Sequence, residues 1–270
     1  MRLVVAVVLV ALSSFQAELV RADDALNGRI TQAFEFSGEQ LTGLKEDTLV
    51  DNEMFTDYTN EEGEWRTVKE DSGKDITLTV WTSGMVAGMY WYQYEATGDS
   101  KWKDYAEDIQ KGLEGVELLD DNDLGFQTLN SFGLGYRLVG TNSFKLRVLD
   151  GAESLYDFRY QSSIPAFWSW KNPKDQPQWD RAVNIDMIMN MEIMLWAAEN
   201  GGSGGYRDAV EQHADKTWED LVRDDYSTFH VAAYDPDTGE LEEQGTYYGW
   251  HAASSVSRGQ VGGVYGFALV

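Results

Sequence analysis

Two aspartates stand at the heads of apolar runs, where a carboxylate is hardest to explain. Asp186 opens the stretch "VNIDMIMNMEIMLWAAENGG", Val183 to Gly202, and Asp123 stands within "DNDLGF" ahead of a second such run. A carboxylate is costly to bury unless it is paired, hydrogen-bonded or protonated. Two of them brought together resist simultaneous ionisation, so one holds a proton toward neutral pH and can act as a general acid or base. Each also has a plainer reading, because Asp before a helix is a preferred N-cap that stabilises by roughly 0.5–2 kcal/mol. The same two-sidedness marks four further residues. Arg258 reads as a solvated helix-end charge or a ligand cation, and His230 as a satisfied core histidine or a ligand contact. Trp81 and Trp170 read as core or as ligand platforms.

The elements that must position these groups are helical hairpins. Three times an apolar, aromatic-rich helix meets a glycine-containing turn ("TGD", "VGTN", "ENGG") and passes into a charged amphipathic helix. The pairs are "VWTSGMVAGMYWYQYEATGD" with "SKWKDYAEDIQKGLEGVELL", "DLGFQTLNSFGLGYRLVGTN" with "SFKLRVLDGAESLYDF", and the Asp186 stretch with "SGGYRDAVEQHADKTWEDLV". An inner ring of apolar helices wrapped by an outer amphipathic one accounts for the alternation. The fold expected is therefore an all-α toroid of αα-hairpins. Inner helices of such a ring run the same way, so Asp123 and Asp186 are expected at one mouth of a common cavity. A short β-hairpin is expected around the "DPDTG" turn.

Composition narrows the function. The chain has 270 residues, ten Trp, no Cys, three His and a formal net charge of −25. That charge argues against nucleic acid and anionic membranes as partners. The histidines (His213, His230, His251) lack metal-ligand spacing, so neither a metal nor another cofactor is expected. Arg2, the apolar run Leu3–Leu12 and small residues before Ala22 read as a secretory signal over residues 1–22, too short to span a membrane. The remainder, 23–270, is expected to be one toroid domain of a secreted protein.

Several blocks then resemble a known family. "WTSGMVAGMYWYQYEATGD", "DLGF", "NIDMIMNMEIMLWAAE", "STFHVAAYDPDTG" and "SRGQVGGVYGFAL" look like the unsaturated glucuronyl hydrolases of glycoside hydrolase family 88, in the same order and with similar gaps. The resemblance implies an (α/α)6 toroid. It places the principal acid/base on Asp186 and its partner on Asp123. It puts substrate contacts on His230 and Arg258, and stacking faces on Trp81 and Trp170. The implied reaction hydrates the C4=C5 enol ether of a 4,5-unsaturated uronic acid at the end of a lyase product. This sequence departs from the family pattern at four positions: Asn122, where His is common; Tyr248, where Gln is usual; and Val256 and Gly262, where Trp is common.

About eight helices are countable from Asn27 onward, where a closed ring of six hairpins has twelve. The ring is thus expected to be incomplete at its C-terminal end, with an open apolar edge suited to self-association. Two neighbouring readings stand beside the leading one: an unsaturated rhamnogalacturonyl hydrolase, and a noncatalytic carbohydrate-binding paralogue or fragment.

Overall fold

The computed structural model describes residues 24–48, 56–59, 61–63, 65–67, 80–174 and 176–270. The expected export signal, 1–22, lies outside the described residues. In chain order the helices are α1 (Asp24–Thr48), α2 (Ser83–Thr97), α3 (Ser100–Lys111), α4 (Leu134–Val139), α5 (Asn142–Arg159), α6 (Met187–Asn200), α7 (Gly205–Leu221) and α8 (Ser257–Leu269). A 3-10 turn covers Val116–Leu118 and a π-helix, Gly125–Gly133, runs directly into α4.

The three expected hairpins form, and glycine ends the first helix of each. Gly98, Gly140 and Gly201 adopt φ of 68°, 71° and 106°. This left-handed conformation costs glycine little and lets its N–H close on a carbonyl of the last turn. Those carbonyls belong to Tyr94, Tyr136 and Ala197. Helices α3, α5 and α7 then return along α2, the π-helix and α6 respectively.

Two compact units emerge from the chain, one reaching to Glu114 with Arg137–Val139 and the other holding Gly115–Tyr136 and Gly140–Val270. In the first, α2 buries Tyr90 and Trp91 completely. The Tyr90 hydroxyl donates to the Leu41 carbonyl at 3.3 Å, and the Gln93 amide to that of Phe34 at 3.0 Å. Strands β1 (Thr56–Thr59) and β2 (Trp65–Thr67) pair antiparallel in this unit.

The second unit carries more strand than the sequence reading anticipated. The hairpin β3 (Tyr160–Gln161) with β4 (Ala166–Phe167) is short. The "DPDTG" turn does join two antiparallel strands, β6 (Val231–Tyr234) and β7 (Leu241–Gly245). To them is added β5 (Arg181–Asn184), giving the order β5-β6-β7. Strand β5 escapes a sequence reading because its four residues merge with the apolar run of α6. Ile164, Val183, Ile185, Leu221, Ala232 and Tyr234 form the core beneath this sheet.

The π-helix has a local cause. Thr128 Oγ1 donates to the Leu124 carbonyl, Asn130 Nδ2 to that of Phe126, and Ser131 Oγ to that of Gln127. Each takes a carbonyl four residues back that an α-helix would offer to a backbone N–H, and so competes with the regular ladder. Such widened turns occur often at functional sites.

Candidate active site

Strand pairing puts the first two site residues side by side. In the β5–β6 register Asn184 faces Val231. The residue after β5 therefore meets the residue before β6, and the Ile185 N–H donates to the His230 carbonyl at 2.9 Å. Asp186 follows at once, at the N-cap position of α6. It is 7% exposed, yet its side chain makes no capping bond. That task falls to Asn184, whose Oδ1 accepts the Met187 N–H at 3.0 Å and is itself held by the Ser169 hydroxyl at 2.7 Å.

The Asp186 carboxylate is thereby left for other partners. Its Oδ2 accepts from an Arg258 guanidinium nitrogen at 3.3 Å and lies 3.7 Å from His230 Nε2. The Tyr247 backbone N–H donates to His230 Nδ1 at 3.1 Å, which leaves the ring hydrogen on Nε2, facing Asp186. Asp186 Oδ1 and His230 Nε2 are buried without a hydrogen-bond partner in the protein. Buried polar atoms of this kind are satisfied by water or by a bound group.

Arg258 reaches Asp186 because α8 approaches through glycine. A Cβ on Gly259 would meet Ile185 Cγ2 at 2.6 Å, and one on Gly266 would meet Ile188 Cγ2 at 2.3 Å. One on Gly262 would stand 3.1 Å from both Asp186 Oδ1 and Met189 Sδ.

Asp123 joins from the segment ahead of the π-helix. Its Oδ1 accepts from Asn190 Nδ2 at 3.0 Å, and Asn190 lies one turn beyond Asp186 on the same face of α6. Asp123 keeps some surface exposure, but its carboxyl is enclosed. Burial chiefly, and then the neighbouring charge of Asp121, push it up to about 7. The Asn190 hydrogen bond opposes the rise, Asp186 adds to it, and Arg258 again opposes it. A carboxyl placed there holds or releases a proton near neutrality.

Aromatic rings form the remaining wall. Trp170 packs edge-on to His230 with centroids 5.8 Å apart, and Tyr248 lies 5.4 Å from the same ring. The Arg258 guanidinium sits 5.5 Å from the Tyr248 centroid, and the Tyr248 ring is largely exposed.

Five of the six expected residues thus meet in the second unit: Asp186, Asp123, His230, Arg258 and Trp170. The sixth, Trp81, belongs to the first unit, directly ahead of α2, with 37% of its surface exposed. Sequence reasoning missed Asn184 and Asn190, which orient the site without standing in a quoted motif role. The four-residue spacing from Asp186 to Asn190 was the available signal. Among the described residues no group of three or more His, Asp or Glu could hold a metal ion, and no helix is long and apolar enough to cross a membrane.

Comparison with known proteins supplies the family. No protein-family model matches the chain. The unsaturated glucuronyl hydrolase of Bacillus sp. strain GL1 is 34% identical over 195 residues, covering 71% of this chain and 51% of that protein. The enzyme of the same name from Formosa agariphila is 34% identical over 191 residues, covering 70% and 47%. A crystal structure of an unsaturated glucuronyl hydrolase specific for heparin superposes with a TM-score of 0.76 at 29% identity, over 87% of this chain and 60% of that one. Over the shared stretch, this chain belongs to the unsaturated glucuronyl hydrolase family. Its helical hairpins are those of the family's α/α toroid. The chain spans about half the length of the two curated relatives, whose shared name denotes a hydrolase of unsaturated glucuronyl groups.

Proposed function

We propose that this site removes a terminal 4,5-unsaturated uronic acid from an oligosaccharide by hydrating its C4=C5 double bond. The observation that carries the reading is Asp186: a nearly buried carboxylate, relieved of capping by Asn184, with Oδ1 unpartnered and Oδ2 held by Arg258 and faced by His230. Its place within a family of unsaturated glucuronyl hydrolases supports the same substrate class.

The chemistry follows from electron demand. An enol ether is protonated at C4, which leaves oxocarbenium character at C5 shared with the ring oxygen. Asp186 in its acid form gives that proton and, as the conjugate base, takes one from the water whose oxygen bonds to C5. The resulting C5 hemiketal opens at the ring oxygen. This converts C1 into a hemiacetal that expels the adjoining sugar, so one water is consumed in all. Asp123, pushed up to about 7, spares the site two full negative charges at neutral pH. Arg258 offers the uronate a cation against the −25 charge of the chain, and Trp170 offers a flat apolar face to the ring.

The test is direct. Unsaturated uronyl disaccharide is incubated with the protein, and the ultraviolet absorbance of the conjugated double bond is followed. Loss of absorbance in the parent but not in Asp186→Asn supports the reading. Binding without any loss in the parent overturns it in favour of a carbohydrate-binding role. We further propose that the protein acts outside the cytoplasm, on the strength of Arg2, Leu3–Leu12 and Ala22. Recovery of the intact residues 1–22 on protein retained in the cytoplasm would refute that.

A further inference from the structure

We propose that Asn190 is the positioning residue of this site: it holds the Asp123 carboxyl, and the backbone that carries it, in register with Asp186. Asn190 is 1% exposed and both halves of its amide are committed. Its Oδ1 accepts the Phe126 N–H at 3.0 Å and its Nδ2 donates to Asp123 Oδ1 at 3.0 Å. The backbone N–H is only a donor, so the amide has a single orientation, with its NH2 toward the carboxyl. Phe126 belongs to the first turn of the π-helix. Asn190 therefore ties the start of that helix to α6.

The approach is close enough to exclude any side chain between them. A Cβ on Gly125 would meet Asn190 Oδ1 at 2.6 Å and its backbone at 2.9 Å. Asp186 and Asn190 share one face of α6 four residues apart, so one rigid turn of helix fixes the two carboxyls relative to each other. The charged and titratable groups facing Asp123 are Asp121 on its own segment, Asp186 from the head of α6 and Arg258 from α8. Arg159 from α5 also interacts with it. Among the neighbours that favour the Asp123 anion, Asn190 donates a side-chain hydrogen bond to it and Arg258 acts through its charge.

The inference rests on reading Asp123 as the partner of Asp186, and the experiment keeps the two separable. The Asp123 carboxyl carbon is titrated by NMR in the full chain, assigned with Asp123→Asn, in the parent, in Asn190→Asp and in Asn190→Leu. Asn190→Asp keeps the volume and the Phe126 acceptor but replaces the donor with a like charge. Asn190→Leu fills the volume with neither bond. Loss of a bond to the anion raises the midpoint, so both variants are expected to titrate higher than the parent, by roughly one pH unit or more. Turnover should fall more than KM rises. An unchanged midpoint in either folded variant overturns the proposal. A parent that shows the shift on mutation yet never consumes an unsaturated uronide leaves Asn190's role intact and defeats the proposed reaction instead.

Discussion

Asn184 stands two residues ahead of Asp186 and takes the Met187 amide at 3.0 Å, a first-turn donor of α6, while the Asp186 side chain makes no capping bond. The division of labour has a measurable signature. Asn184→Ala removes the cap and unseats the Ser169 hydroxyl, which donates to the same oxygen. It is expected to lower unfolding free energy by about 1–2 kcal/mol in urea titration. Asp186→Asn loses no cap and should cost less than half as much.

The activities should run the other way. If Asp186 transfers the proton, Asp186→Asn lowers kcat by about 10²–10⁴-fold, the usual span for removing a general acid or base. Asn184→Ala, measured where it remains folded, should lose far less. Equal losses in the two variants would argue that α6 placement, rather than the Asp186 carboxyl, limits the reaction.

Asp123 makes stability depend on pH with a definite sign. Its carboxyl is raised from 3.8 to about 7 on folding, chiefly by burial. Between those values the folded state holds a proton that the unfolded state has released, so this group's contribution falls as pH rises from about 4 to about 7. Asp123→Asn removes that penalty. The variant should be more stable than the parent at pH 8, with the gap closing toward pH 4 in paired denaturation curves.

Arg258 is half-exposed and reaches Asp186 from the second residue of α8, so its loss should spare the fold. With uronate as its proposed partner, Arg258→Ala is expected to raise KM about tenfold to a hundredfold, the worth of a charge-assisted hydrogen bond. Arg258→Lys should recover only part of this, since an ammonium lacks the planar fork.

Two glycines on α8 separate stability from activity. A methyl on Gly266 would overlap Ile188, whereas one on Gly262 would press on Asp186 Oδ1 and Met189 at 3.1 Å. Gly266→Ala is expected to cost about 1–3 kcal/mol of stability. Gly262→Ala should cost less stability but lower turnover, because it crowds the unpartnered carboxylate oxygen.

The hairpins were legible because their punctuation is chemical: Gly98, Gly140 and Gly201 sit where only a residue without Cβ closes the turn comfortably. The "DPDTG" turn was legible for a similar reason, since Asp235 Oδ1 accepts the N–H groups of Asp237 and Thr238. The π-helix was not, because Thr128, Asn130 and Ser131 read as ordinary polar positions until their i−4 bonds are seen. Asp186 was singled out correctly as a buried carboxylate, but whether it capped the helix could not be decided with Asn184 two residues away and equally able to cap. Asn190 was hidden by its Met and Ile neighbours, and its role depends on Phe126, which only tertiary packing brings within reach. Trp170 meets His230 through a single bridge to Ala182, a contact without periodic signal.

The glycine face of α8 also sets how this region of the gene tolerates change. Positions 259 and 266 lie against side chains of the Ile185–Ile188 segment with no space for a methyl group, and position 262 has space only if Asp186 or Met189 gives way. In a saturation library selected for growth on the sugar, these three codons should stay nearly monomorphic. Val261 and Val264, on the outward face of the same helix, should accept most substitutions. Such a contrast between adjacent codons would map the contact between α8 and α6 from genetics alone.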